Sequence, residues 1–176
     1  MKQKWIRDVD YHRLGTLIEV KKATKSAYLI YLHYKVITRT ITTNKYLHIL
    51  QLKDNNACTF CKRDVETITH LFWECPVTQT LIQNIGREIY TKYRIHFKHN
   101  IASWFFPHET DELQTLMITL VKAVIYKARN KDEKPELSHM LNLLKNYGEQ
   151  EHYSCKINDK LEAFNNKWKT LSSIVS

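Results

Sequence analysis

Glycine and proline are scarce in this chain, with three of each in 176 residues. Sandwiches, barrels and dinucleotide-binding folds turn tightly and often, and those turns consume both residues. Their scarcity excludes such folds and favours helices. No apolar run approaches the length of a membrane span, and the polar start MKQKWIRDVD does not resemble a signal peptide. A non-membrane, intracellular setting is expected, where thiols stay reduced and clustered cysteines bind metal more often than they pair. Internal repeats and low-complexity segments are absent as well.

What is present is ordinary in bulk and unusual in one place. Hydrophobic residues make up 43 % and charged residues 26 %, the proportions of a globular protein with one core. Three of the four cysteines fall between Cys58 and Cys75, in CTFCKRDVETITHLFWECP, spaced C-x2-C-x8-H-x4-C. Cys58 and Cys61 can aim both sulfurs at one point across a tight turn. His70 and Cys75 can close the other side from a short helical turn. Four N/S donors in that pattern suit a structural Zn²⁺, which takes tetrahedral closure without solvent. Protein donors fill all four positions, leaving none for the water that a catalytic zinc requires. Cys155 has no partner at ligand spacing and reads as a free thiol. The eight residues between Cys61 and His70 are too many for a retroviral nucleocapsid knuckle, and a DNA-reading finger would end in two histidines.

Hydrophobic periodicity predicts helices around this unit. The first 22 residues contain Trp5, Ile6, Val9, Leu14, Leu17 and Ile18, but Gly15 predicts an interruption. In Ser26 to Thr40, Ala27, Ile30, Tyr31, Tyr34 and Ile37 form the expected buried stripe, with Tyr28, Lys35 and Arg39 toward solvent. Thr43-Asn44 can cap a helix whose apolar side is Tyr46, Leu47, Leu50 and Leu52. Pro76 opens a helix to about Tyr93 carrying Val77, Leu81, Ile85 and Ile89, which puts Cys75 at a helix N-terminus where a thiolate is favoured. Lys92 to His99 mixes cations with aromatics, with Ile95 and Phe97 facing inward. Ile101 to Phe106 reads as a buried connector or short strand. Asp111 begins the clearest helix, with Leu113, Leu116, Met117, Leu120, Val124, Ile125 and Ala128 inward. Pro135 opens another that ends near Gly148, and a last one carries Leu161, Phe164, Trp168 and Leu171. The expected fold class is mainly α: an irregular helical domain with a small CCHC zinc-knuckle insertion. Its expected segments are an N-terminal helical part (1–54), the knuckle (55–76) and a C-terminal helical part (77–176).

Formal charge is +9, and three thiolates on one Zn²⁺ lower that only to about +8. A surplus of this size attracts polyanions. Lys62 and Arg63 directly follow Cys61, and Lys122, Lys127 and Arg129 gather toward the end of the long helix begun by Asp111. These five are the candidate nucleic-acid contacts.

The motif Cys-x2-Cys, then Glu66-Thr67-x2-His70-Leu71-Phe72 and Glu74-Cys75-Pro76, resembles the zinc-binding segment that follows the reverse transcriptase in non-LTR (LINE-like) retrotransposons. TNKYLHILQLKDNNAC before it, VKAVIYKARN after it and the closing FNNKWKTL are similar to that family's flanks in the same order. The resemblance implies a non-catalytic module that helps hold element RNA or target DNA during target-primed reverse transcription. The partners would be RNA or DNA, read with low sequence specificity, and the polymerase part of the same element. It further implies residence in the nucleus or a cytoplasmic ribonucleoprotein. No stretch resembles a polymerase's paired catalytic aspartates. Where family members carry an aromatic pair after the last cysteine, this chain has Leu81-Ile82.

Two other readings are compatible with the sequence. Lys134-Pro135-Glu136 with Glu149 imitates the acids of a restriction-like endonuclease, which would share a Mg²⁺. Trp104-Phe105-Phe106, if exposed, would form a docking surface for the polymerase body.

Overall fold

The computed structural model describes residues 9–97, 100–107 and 110–171, with side chains from residue 15 onward. Trp5, Ile6, Lys98 and His99 lie outside the described residues, as do the side chains of Val9 and Leu14. Among the described residues eight α-helices follow one another: α1 Val9–Ala23, α2 Ala27–Ile37, α3 Asn44–Ile49, α4 Pro76–Tyr93, α5 Ile101–Phe105, α6 Glu112–Asn130, α7 Leu137–Ile157 and α8 Leu161–Trp168. A π-helical turn, His70–Glu74, precedes α4, and a 3₁₀ turn, Lys169–Leu171, follows α8. Among the described residues the only β pairing is an isolated antiparallel bridge between Ala57 and Val65. The mainly α expectation holds.

α6 is the axis of the molecule. It buries side chains on every side from Leu113 to Ala128, including Thr115, Thr119 and Lys122, as a helix does when neighbours surround it. α1, α2, α7, α8 and the π turn all pack against it. Asp111 caps its start by accepting from the Gln114 amide at 2.7 Å, satisfying one of the donors that a helix N-terminus leaves open. Buried residues from before, within and after the knuckle join one apolar cluster, from Ala23 and Leu29 through Cys58 and Phe72 to Trp168 and Leu171.

Several local expectations fail, each for a tertiary reason. α1 runs through Gly15, and α7 runs through Gly148 to Ile157. A mid-helix glycine costs only about 1 kcal/mol, and Gly148 is buried against the body. Cys155 therefore sits in the last turn of a helix. α2 buries Leu29, Leu32, His33, Val36 and Ile37, while Tyr31 and Tyr34 of the expected stripe are 56 % and 45 % exposed. Apolar residues surround this helix, so periodicity alone does not choose its inner face. Tyr46 of α3, and Leu50 and Leu52 just after it, face solvent rather than a core. Ile101–Phe105 is a short capped helix, not a strand, with Trp104 and Phe105 buried. α4 matches its predicted start and inner face; in α8 Phe164 and Trp168 are buried as expected, Leu161 is exposed, and Leu171 is buried in the 3₁₀ turn that follows.

The scarce glycines have a structural counterpart. None of the described glycines has a positive φ, yet Arg39, Gln51, Lys62, Arg94, Asp132 and Asp159 do, between 55° and 59°. Five of these six directly follow or cap α2, α3, α4, α6 and α7, where glycine is the usual residue. The left-handed region costs a side-chain-bearing residue about 1 kcal/mol or more. Gln51→Gly and Arg94→Gly should each stabilise the fold by roughly 0.5–1 kcal/mol. The expected combined rise in melting temperature is about 2–8 °C, read by thermal denaturation of the zinc-loaded protein.

Candidate metal centre and its surroundings

The sequence around Cys58 forms a turn before it forms a site. Cys58 accepts at its carbonyl from the Lys62 amide at 3.0 Å and donates its own amide to the Asp64 carbonyl at 2.7 Å. The Phe60 amide points at Cys58 Sγ, 3.4 Å away. Lys62 closes the turn at φ 57°, and the Ala57–Val65 bridge zips the base of the loop. Both sulfurs of the Cys-x2-Cys pair thereby face the same point.

The π turn supplies the other two donors, and its geometry explains their spacing. On an α-helix, residues five apart lie about 140° apart around the axis. The wider turn, closed by the Cys75 amide on the His70 carbonyl at 2.8 Å, brings residue i+5 back over residue i. His70 is started by its amide bond to Thr67 Oγ1 at 2.9 Å. Thr78 Oγ1 donates to the Leu71 carbonyl at 2.8 Å, and Gln79 Nε2 donates to that of Trp73. The first turn of α4 thus satisfies carbonyls of the π turn.

Cys58, Cys61, His70 and Cys75 converge, with all four ligand atoms within 4.8 Å of one another. Cys58 Sγ and Cys75 Sγ are 3.8 Å apart, and Cys61 Sγ is 3.4 Å from His70 Nε2. Zn–S bonds of about 2.3 Å and Zn–N bonds of about 2.0–2.1 Å give tetrahedral edges of roughly 3.8 Å and 3.6 Å. The donor set fits zinc in number, type and size. Cys58 and Cys75 are fully buried, His70 nearly so. Their thiols are electrostatically linked: the hydrogen bond from Cys58, then the Thr78 and Val77 amides, pull Cys75 down to about 5 against the opposing effect of burial. That hydrogen bond and burial push Cys58 up. The amides at the start of α4 thus favour the Cys75 thiolate, as its place at a helix N-terminus predicts. Phe60 and Phe72 pack under the knuckle. Trp73 meets the Trp104 ring at 5.6 Å and Phe72 meets Tyr126 at 6.5 Å, so the loop is seated on α5 and α6.

A buried carboxylate, which sequence reasoning left without a role, ties the knuckle to the helices. Glu66 is fully buried. It accepts from the Thr59 amide at 2.7 Å, the Asn44 amide at 2.8 Å and Arg129 Nε at 3.0 Å. Asn44 Nδ2 donates to the Ala57 carbonyl at 2.6 Å, while Asn44 Oδ1 accepts from Arg129 Nη2 at 2.7 Å and Lys53 Nζ at 2.9 Å. Burial pushes the Glu66 carboxyl up, but the bonds from Thr59 and Asn44 and the Arg129 charge outweigh it. It stays ionised below the ordinary carboxylate range. The available signal was Glu66 and Arg129 standing in two separate motifs of one resemblance.

The five cations proposed from sequence divide accordingly. Lys62, Arg63 and Lys127 are exposed. Lys62 pairs with Asp132 at 3.0 Å, an exposed contact that solvent screens. Arg129 is committed to Glu66 and Asn44, its side chain only 10 % exposed. Lys122 is a correction: it is 0 % exposed and touches no phosphate. Its Nζ lies 3.2 Å from His33 Nδ1 and 5.9 Å from the Trp104 ring centre. Helical spacing put it on the inner face of α6, which runs through the core and has no solvent side at that level. Other readings also change. Trp104 and Phe105 are buried and form no docking surface. Glu136 and Glu149 bracket most of α7, about 20 Å apart at 1.5 Å per residue, too far to share one cation. Cys155 stands apart from the four-donor cluster.

Residues 16–81 match the family model described as zinc-binding in reverse transcriptase. Over that segment the chain is similar to a zinc-binding domain associated with reverse transcriptases. The match covers most of α1, all of α2 and α3, the knuckle and the first turn of α4, and its cofactor is the Zn²⁺ that the Cys3His set fits. No curated protein matches the chain.

Two measurements check this account. Elemental analysis should find one Zn²⁺ per chain in the parent and in Cys155→Ser, and loss of stoichiometric zinc in Cys58→Ser. Burial also lowers the Lys122 pKa from 10.5 to about 7. A cation depressed in the fold holds fewer protons folded than unfolded between those values, so stability should rise as pH climbs from about 7 toward 10.5. Urea denaturation across that range should show the rise in the parent and a flat profile in Lys122→Met.

Proposed function

We propose that this protein is a non-catalytic, zinc-stabilised nucleic-acid-binding module of the non-LTR retrotransposon kind. It would hold element RNA or target DNA while a reverse transcriptase primes on the target. The observation that carries this reading is the closed Cys3His centre within a segment that matches the reverse-transcriptase zinc-binding family. Four protein donors leave no coordination position for a reacting water, so such a zinc organises structure rather than chemistry. Its binding energy supports a loop too short to build a core of its own.

The electrostatics support the polyanion. Net charge is +9; Arg63 and Lys127 are exposed, and Lys62 would exchange only its solvent-screened contact with Asp132 for a phosphate. Lys53 and Lys62 also line an open cleft of about 680 Å³ between the start of α3, the knuckle and the end of α6. Contacts of this kind recognise the backbone, giving low sequence specificity. By the same reading the protein works in the nucleus or in a cytoplasmic ribonucleoprotein.

A second reading, docking on the polymerase body, draws on a different surface. Ile49 is 65 % and Leu52 70 % exposed at the end of α3, with Tyr46 and Leu50 beside them. The two roles are compatible in one polyprotein.

Binding of a fluorescent single-stranded oligonucleotide should weaken steeply with salt. Combined Lys62→Ala, Arg63→Ala and Lys127→Ala should lower the slope of log K against log salt by about 2. A flat isotherm at low salt with folded, zinc-loaded protein would sink the reading.

A further inference from the structure

The outward face of α2 is built unlike the rest of the surface. From residue 20 to residue 53 the chain has seven cations and no aspartate or glutamate. Within that stretch Tyr28, Tyr31 and Tyr34 are 54 %, 56 % and 45 % exposed. At 100° per residue, Tyr31 lies opposite the centre of the buried set Leu29, Leu32, His33, Val36 and Ile37, with Tyr28 and Tyr34 about 60° to either side. Successive rings are about 4.5 Å apart along the axis. Lys35 joins them, its Nζ 4.8 Å from the Tyr31 ring centre, and Arg39 is exposed just beyond the helix end.

We infer that this tyrosine row is a stacking platform for single-stranded nucleic acid, an inference that rests on the nucleic-acid reading above and locates where its bases sit. Each chemical feature matches one part of that ligand. Tyrosine faces stack on unpaired bases of any identity, and adjacent cations hold the phosphates between them. The acid-free stretch carries no carboxylate of its own to repel the backbone. An apolar protein partner would be served by aliphatic side chains and would gain nothing from uniform positive charge. Duplex is a poor occupant, because its bases are stacked on one another and unavailable to rings projecting from a convex helix. Tyr31 and Tyr34 point away from the buried residues that hold α2 to α6, while Tyr28 stands at the flank near Tyr126 and Tyr147, so the Tyr31–Tyr34 pair is not needed for the core.

The experiment is fluorescence anisotropy with labelled U12 RNA and with a 12-base-pair duplex, on zinc-loaded protein. Tyr31→Ala/Tyr34→Ala should weaken U12 binding by about tenfold or more, while Tyr31→Phe/Tyr34→Phe binds within about twofold of the parent because the ring is kept. The salt slope should be unchanged by the alanine pair and lowered by about 0.7 in Lys35→Ala. Duplex binding should be weaker and indifferent to the tyrosines. Circular dichroism and zinc content confirm that each variant is folded. Parent-like U12 affinity in the alanine pair overturns the platform and leaves the rings to a protein partner. If that affinity still falls with the Lys62, Arg63 and Lys127 substitutions, the broader reading survives alone. Failure of the parent to bind either oligonucleotide at low salt removes both.

Discussion

The buried carboxylate of Glu66 is the interaction on which the arrangement of this protein depends. One side chain accepts from the amide that opens α3, from the amide after the first zinc ligand and from a guanidinium near the end of α6. Those groups are 22, 7 and 63 residues away in sequence. An ionised carboxylate out of water is costly unless each acceptor site is filled, so the three elements are held in one geometry or the carboxylate is stranded. Removing a single partner of such a pair typically costs about 3–5 kcal/mol. Glu66 thus couples folding of the knuckle to docking of the long helix, without touching the metal.

The zinc centre works on the same problem at shorter range. The loop between Cys58 and Cys75 buries Phe60, Leu71 and Phe72 against the body but is too short to enclose a core of its own, and four donors around one ion close it. The π turn that aligns His70 with Cys75 feeds straight into α4, whose N-terminus stabilises the last thiolate. The aromatic contacts of Phe72 and Trp73 then seat the loop on Tyr126 and Trp104. Metal and carboxylate both hold the knuckle. The exposed tyrosines of α2 and the exposed Lys62 and Arg63 take no part in either.

At the end of α6 charge is sorted by depth. Lys122, Lys127 and Arg129 look alike as a basic cluster, but one is in the core, one in solvent and one in an ion pair. Lys122 sits against His33 with its pKa lowered by burial alone, and His33 is held well below its ordinary value by burial and by the neighbouring lysine. Two basic groups meeting in a core favour their neutral forms, which is the opposite of what a phosphate contact needs.

Sequence by itself determined the helical class, the four zinc donors and the helix starts at Asp111 and Pro76. These depend on chemistry local to a few residues: scarce turn formers, ligand spacing and capping. It did not determine which face of α2 is inside, whether α1 and α7 pass through Gly15 and Gly148, or what Glu66, Lys122 and Arg129 do. Periodicity constrains a helix that has one polar side, and α2 is apolar nearly all round. A glycine penalty of about 1 kcal/mol is smaller than what packing returns. The fate of a charged side chain depends on partners 22 to 89 residues away, and only the packed structure brings those partners within reach.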